Sequence, residues 1–228
     1  MPKNTQEIKT LAYVLKRTNY LEADRILSLI TPSGKMSAIA KGARRAKSKL
    51  AGGVEMFSLT ELIIHQGNGK MGLVTSARMI KFYDKIMTDF NKMEVAAQIL
   101  KKINTVAESS DAPEYFDMVD ECLCALNDGE NVDLVQSWFL LNVLRVSGEE
   151  VNVYRDVTGE KLSADKKYEF DVFENAFLPR KSGRYGADEI KMIRLMLTAK
   201  LNMVAKVKGV EALLPAVTKF ARNVNKMI

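Results

Sequence analysis

The sequence predicts an α+β chain: a small closed β-barrel of five strands at the N-terminus, followed by an α-helical bundle domain. Two observations lead there. Up to about residue 80, short apolar runs alternate with turn residues, and after Phe82 the turn residues thin out while the apolar period lengthens toward helix. The expected domains are therefore 1–80 and 81–228, the second carrying an irregular insertion at about 149–186.

Five strands are expected at 12–15, 25–30, 35–40, 57–64 and 72–77. Thr31-Pro32-Ser33-Gly34 is a turn signal that makes the second and third a tight hairpin. Leu27, Leu29 and Thr31 point one way while Ile26, Ser28 and Ile30 point the other, so the alternation is only partial. Short strands this close together suit a closed barrel better than an open sheet, because closure leaves no exposed edge.

Helical spacing follows. Val95, Ile99, Ile103 and Val106 make one stripe, and Tyr115, Val119, Cys122 and Leu126 another. Asp111 or Ala112 is expected to cap the second of these helices, with Pro113 in its first turn. The segment 131–146 is apolar around the wheel and reads as the central helix of a bundle. Thr158-Gly159-Glu160, Pro179 and Ser182-Gly183 interrupt the helical pattern, which resumes over 187–207. Pro215 is expected to begin or kink a last helix carrying Val217, Phe220 and Val224 on one face.

The chain has 228 residues with 34 Lys and Arg against 28 Asp and Glu, a net charge of +6. That average conceals segregation: the net charge is +9 over 1–82, −10 over 83–180 and +7 over 181–228. Such a pattern is expected where one face meets a polyanion. The longest stretch without a charge, 134–144, is far shorter than the roughly 20 residues a bilayer-crossing helix needs. No secretory signal is visible in the N-terminal residues, and the two cysteines, Cys122 and Cys124, point to different sides of a helix. The expectation is a cytoplasmic protein with idle thiols.

The sharpest chemical feature is the basic run from Lys41 to Lys49. Counted from Lys35, the cations Lys35, Lys41, Arg44, Arg45, Lys47 and Lys49 occur with no acid between Asp24 and Glu55. Gly42, Ala43 and Ala46 separate them, so a phosphate backbone could approach closely. Arg17, Arg25 and Lys70 are secondary candidates for the same role. Aromatic side chains are few here, only Tyr13, Tyr20 and Phe57, so phosphate contacts rather than base stacking should dominate. If all six cations touched single-stranded DNA, log affinity would fall against log salt with a slope of about −4.

Other motifs carry less. Gly67-Asn68-Gly69-Lys70-Met71-Gly72 matches the dinucleotide-binding glycine spacing, but a strand and not a helix follows, so a hairpin turn is the better reading. His65 is the only histidine and sits at the end of an apolar strand. Nine carboxylates lie between Glu108 and Asp133, and Asp117 with Asp120 or Glu121 shares a helix face. A magnesium-dependent nuclease would use such groups; the solvated side of an amphipathic helix explains them more simply. No cofactor, no metal and no enzymatic activity are expected.

Three segments in order resemble the N-terminal domain of the RecO family of bacterial recombination mediators. They are Glu22-Ala23-Asp24-Arg25 leading into a strand, a Gly34-Lys35 turn, and Ala40-Lys41-Gly42-Ala43-Arg44-Arg45 running on to Lys49-Leu50. The resemblance implies an oligonucleotide-binding (OB) barrel followed by a helical domain. It implies binding of single- and double-stranded DNA, annealing of complementary strands and, with RecR, loading of RecA onto strands covered by single-strand-binding protein at the nucleoid. Many family members hold zinc with four cysteines in an insertion of the helical domain. Here Arg155-Asp156-Val157-Thr158-Gly159-Glu160 resembles the start of that insertion, with Arg155 where a ligand cysteine often stands, and no cysteine follows. The resemblance also implies that the helical domain receives the acidic, apolar-ended tail of single-strand-binding protein, for which Lys191, Arg194, Lys200, Lys206 and Lys208 are the candidates. The rival reading is an interaction scaffold that docks an acidic protein partner, with DNA binding incidental.

Overall fold

Strands β1 (Gln6–Tyr20), β2 (Asp24–Thr31), β3 (Gly34–Ala40), β4 (Ser58–Gln66) and β5 (Met71–Phe82) close into a barrel in a computed structural model that describes residues 6–69, 71–107 and 113–227. The strand order is β1-β2-β3-β5-β4, and β1 pairs again with β4. The parallel β3–β5 pairing through Ser37–Met71, Ala38–Gly72 and Ile39–Leu73 completes the ring. This is the OB-like barrel the resemblance implied. Lys70 and the candidate cap at Asp111 or Ala112 lie outside the described residues.

The barrel interior is filled by alternate residues of each strand: Ala12 and Val14, Leu27 and Leu29, Ala38 and Ala40, Leu62 and Ile64, and Val74. Gly72 is needed where β5 crosses behind β4, because a Cβ there would lie 2.4 Å from the Ile64 Cγ2. The glycine-rich segment before it is thus a hairpin turn and a barrel closure, and no helix begins at it.

β1 is longer than the apolar run 12–15 suggested. At its middle both faces are covered: Ala12 and Val14 point into the barrel, while Tyr13 and Leu15 are buried outside it. Three helices follow β5, namely α1 (Asp84–Met87), α2 (Phe90–Val106) and α3 (Glu114–Asp128). The Asp89 carboxylate caps α2 by accepting from the backbone N–H groups of Asn91 at 2.9 Å and Lys92 at 3.2 Å. On the outer face of β1, Tyr13 meets Phe116 of α3 with ring centroids 5.4 Å apart, and Ser28 of β2 donates to the Asn104 Oδ1 of α2 at 2.6 Å. The change from strand to helix therefore falls near residue 82, whereas the division into compact units falls between Asp128 and Gly129, because α2 and α3 pack on the barrel.

The second unit, Gly129–Ile228, is built on α4 (Val132–Val146), capped by Asn131. With it go α5 (Ala187–Thr198), α6 (Leu201–Val204) and α7 (Val210–Val224). The helix expected over 187–207 is broken at Ala199, whose carbonyl accepts from the Trp138 indole N–H at 2.9 Å. Pro215 lies inside α7, which begins at Val210 and buries Val217, Phe220 and Val224 as the spacing predicted.

The segment 149–186 is ordered by a β-hairpin, β6 (Tyr168–Asp171) with β7 (Ala176–Pro179). Around it Tyr168, Phe170, Phe177, Tyr185 and Phe220 form an aromatic cluster in which Phe177 and Phe220 stack at 5.9 Å and Phe170 meets Phe220 edge-on at 4.8 Å.

Candidate nucleic-acid interface

The basic loop between β3 and β4 is an arch with both feet in the barrel. At one foot the Ala43 side chain is buried in the core, the Gly42 N–H donates to the Asp24 carboxylate at 2.7 Å, and the Arg44 N–H to the Ala23 carbonyl at 2.9 Å. At the other, a short 3-10 turn, Ala51–Val54, buries Val54, and Gly53 lies so close to Ala77 that a Cβ would come within 2.5 Å of it. Gly42 adopts φ +64°, the left-handed region that glycine enters without strain, which lets the chain turn sharply off β3. Between the feet, Arg44, Arg45, Lys47 and Lys49 are exposed, with Lys41 exposed beside them. None of these five makes an ion pair among the described residues; the Arg44 guanidinium only donates to the Glu22 carbonyl at 3.3 Å.

The other candidates for this interface are placed differently. Arg17 and Arg25 converge on one carboxylate, Glu55, at 2.5 and 3.3 Å, so one of their two charges is matched inside the protein. Lys35 sits at the opposite end of β3, where its ammonium donates to the Asn104 carbonyl at 2.5 Å near the C-terminus of α2. Around it lies an outer-face groove of about 450 Å³ lined by Lys16, Thr18, Ser28 and Ser37 among others. Lys16, Ser28 and Ser37 line up across three strands through the pairings Lys16–Ser28 and Ser28–Ser37. Their common face was not read from the sequence because it needs the strand register, which a bulge in β1 between Val14 and Lys16 shifts.

Of the C-terminal candidates, Lys191 pairs with Asp188 at 3.6 Å, and Arg194 is structural, its Nε donating to the Val153 carbonyl at 2.8 Å while its guanidinium lies over the Tyr154 ring. Lys200, Lys206 and Lys208 are exposed around α6, as is Met203.

The residues that suggested catalysis have other work. The His65 Nε2 lies 2.9 Å from the Glu7 carboxylate across β4 and β1. The Asp120 carboxylate accepts from the Tyr13 hydroxyl, which lies 2.7 Å from that of Tyr83; Tyr83 in turn reaches the Cys124 Sγ at 3.5 Å. Burial, then the Asp120 hydrogen bond, pushes the Tyr13 hydroxyl well above the usual tyrosine range; burial does the same for Tyr83. Lys81 lies 3.4 Å from the same sulfur and over the Tyr83 ring.

Zinc does not fit the segment 149–186. The Asp156 carboxylate is filled by donors, taking the Thr158 hydroxyl at 2.6 Å and the N–H groups of Thr158 and Glu160 at 2.9 and 3.2 Å. Arg155, which by the resemblance stands in place of a ligand cysteine, carries a cationic guanidinium that cannot bind zinc and donates to the Gly159 carbonyl at 2.7 Å. Among the described residues no group of three His, Cys, Asp or Glu side chains is placed to hold a metal, and no helix is long and apolar enough to cross a membrane.

Comparison with known proteins places this geometry. The family described as the N-terminal part of recombination protein O matches residues 5–83, the whole barrel. The chain is 29% identical over 149 residues to the DNA repair protein RecO of Roseiflexus sp. (strain RS-1), covering 64% of this chain and 52% of that one. It is 30% identical over 144 residues to the protein of the same name from Dehalococcoides mccartyi (strain 195), covering 62% and 56%. Over 207 residues it is 26% identical to that of Alkaliphilus metalliredigens, covering 90% and 82%. The match thus spans about half the length of the first two relatives and most of the third.

Proposed function

The chain belongs to the RecO family, and from that premise we propose that it is a DNA repair and recombination mediator that binds single- and double-stranded DNA through phosphate contacts and anneals complementary strands. The observation that carries the reading is the arch: Lys41, Arg44, Arg45, Lys47 and Lys49 stand exposed, with no carboxylate partner among the described residues, on a loop whose feet are buried in the barrel. Charges presented in that way can neutralise phosphates without being spent inside the protein. The residues between them, Gly42, Ala43, Ala46 and Ser48, are small, so a phosphate backbone can approach the arch closely. Two strands whose phosphates are neutralised on one surface repel each other less, and complementary segments can meet.

In this reading the protein makes and breaks no covalent bond. With RecR it assists RecA loading on strands coated with single-strand-binding protein, whose acidic, apolar-ended tail would take Lys200, Lys206 and Lys208 with Met203 beside them. It would act at the nucleoid. The test is a strand-annealing assay on DNA coated with cognate single-strand-binding protein, with and without RecR. Annealing faster than the spontaneous rate, lost on R44A/R45A/K47A/K49A, is the expected result; a rate unchanged by the four substitutions would move the site away from the arch.

A further inference from the structure

The geometry points to a second phosphate-binding site, for another segment of single-stranded nucleic acid, at the open end of the β6–β7 hairpin. It rests on the annealing reading above and adds to it a place where the second strand is held.

Lys166 and Lys167 precede β6, and Arg180 and Lys181 follow β7, some fourteen positions later in the sequence. The register that pairs Tyr168 with Pro179 sets Lys167 opposite Arg180, and the Arg180 N–H donates to the Lys167 carbonyl at 2.9 Å. The four side chains with Asp165 and Pro179 line a cleft of about 540 Å³. All four cations are exposed, and among the described residues none makes an ion pair within 4 Å. The one carboxylate lining the cleft, Asp165, takes the Ser163 hydroxyl and also feels the Lys166 ammonium, as does Asp156. Lys166 is therefore the most compensated of the four cations, and Lys167, Arg180 and Lys181 carry the larger share of the site. Of the hairpin's carboxylates, Asp171 and Glu174 lie toward the turn and Glu169 accepts from the Arg184 N–H at 3.1 Å, while the cations lie at the open end.

The backbone under these cations is held firmly. The Gly183 N–H donates to the Arg180 carbonyl at 3.0 Å, after which the chain doubles back so that Tyr185 and Tyr168 exchange both backbone hydrogen bonds at 2.9 Å. A Cβ on Gly183 would lie 2.4 Å from the Tyr168 nitrogen, so only glycine allows this approach. The Tyr168 and Tyr185 rings are then buried in the aromatic cluster. The backbone positions of the four residues are set before any ligand arrives, so only their side chains have to be ordered on binding.

The lining chooses between polyanions. Pro179 is its only apolar residue, so a protein segment with apolar side chains, or a small organic ligand, would find little to bury. A phosphate backbone asks only for spaced positive charge.

The test uses the full chain and a short fluorescent single strand, with bound equivalents counted by sedimentation velocity at low salt. The native protein should bind two equivalents and K166S/K167S/R180S/K181S one, with the affinity of the remaining site within twofold and annealing reduced at least tenfold. The charge-preserving K166R/K167R/R180K/K181R should keep both equivalents. One equivalent on the native chain, two on the serine variant, or loss of the second equivalent on the charge-preserving variant would overturn the proposal. So would a serine variant that loses binding of a polyglutamate peptide and not of DNA, which would make the cleft a protein dock. R44A/R45A/K47A/K49A separates the two readings: it should still bind one equivalent, and if it binds two, the arch reading fails while the hairpin site stands.

Discussion

Substituting Arg44, Arg45, Lys47 and Lys49 together by Ala removes four of the five exposed cations of the arch and leaves its feet intact. The lost Arg44–Glu22 carbonyl bond is exposed, so stability should change by less than about 1 kcal/mol. The effect on binding follows from counterion release, each single-strand phosphate contact contributing roughly −0.7 to the slope of log affinity against log salt. Five contacts give a slope of about −3.5, and the variant retains about −0.7. Extrapolated from 1 M, where this contribution vanishes, four lost contacts weaken binding about 600-fold at 0.1 M and about 90-fold at 0.2 M. Fluorescence anisotropy on a labelled oligonucleotide between 50 and 200 mM salt, in the background of the hairpin serine variant so that one site is read, measures both quantities. A variant whose slope stays near the native value would refute the reasoning, and so would a loss of affinity with no change of slope.

Lys35→Ala should leave the slope unchanged, because that ammonium is bonded to the Asn104 carbonyl at the far end of β3; a slope shallower by a full contact would place DNA across the outer face of β1, β2 and β3. Tyr13 and Tyr83 hold their protons above their ordinary range in the folded chain, whereas in the unfolded chain they ionise near pH 10, so the unfolded state loses protons first and stability is present below pH 10 and lost above it. The loss should approach about 1.4 kcal/mol per pH unit for each tyrosine, and Tyr13→Phe should remove one such increment in urea titrations at pH 9 to 11. Phe177→Ala should cost about 3–5 kcal/mol in the second unit by opening the aromatic cluster, whereas EDTA should leave its thermal transition where it is; a chelator-induced shift would show a metal holding the segment. Labelled DNA incubated with magnesium should remain intact, since the Asp120 carboxylate is taken by Tyr13.

The barrel was legible because its turns are written in Thr-Pro-Ser-Gly and Gly-Asn-Gly and its inner faces alternate. The helices were legible from stripes such as Tyr115, Val119, Cys122 and Leu126, all buried. The packing of α2 and α3 on β1 was not foreseen, though Ala12-Tyr13-Val14-Leu15 carries the signal: an unbroken apolar run in a strand means that both faces are covered. The β6–β7 hairpin had a short signal too, Tyr168 and Phe170 alternating with Glu169 and Asp171, but Pro179 and Gly183 beside it read as irregular chain. Within the candidate interface the exposed arch could be read from spacing alone. The capture of Arg17 and Arg25 by Glu55 could not, since those partners lie 38 and 30 residues away and meet only when the loop returns to the barrel.

The same limit applies to charge counted along the chain. The block 83–180 carries −10, and on that sum it reads as a surface nucleic acid should avoid. Screening makes the sum the wrong quantity: beyond about 10 Å at 0.1 M salt a charge contributes little, so a phosphate responds to its nearest neighbours in space. In the hairpin those neighbours are set by strand register, which moves Arg180 and Lys181 next to Lys166 and Lys167 and keeps Asp171 and Glu174 at the other end. Two strands of four residues therefore create a cationic site inside an acidic block. If the second strand is held there, annealing should be abolished by reversing those four charges, which takes the whole chain from +6 to −2, and should survive when four exposed cations outside both sites are reversed to the same net charge; equal loss in the two variants would show that local register does not matter.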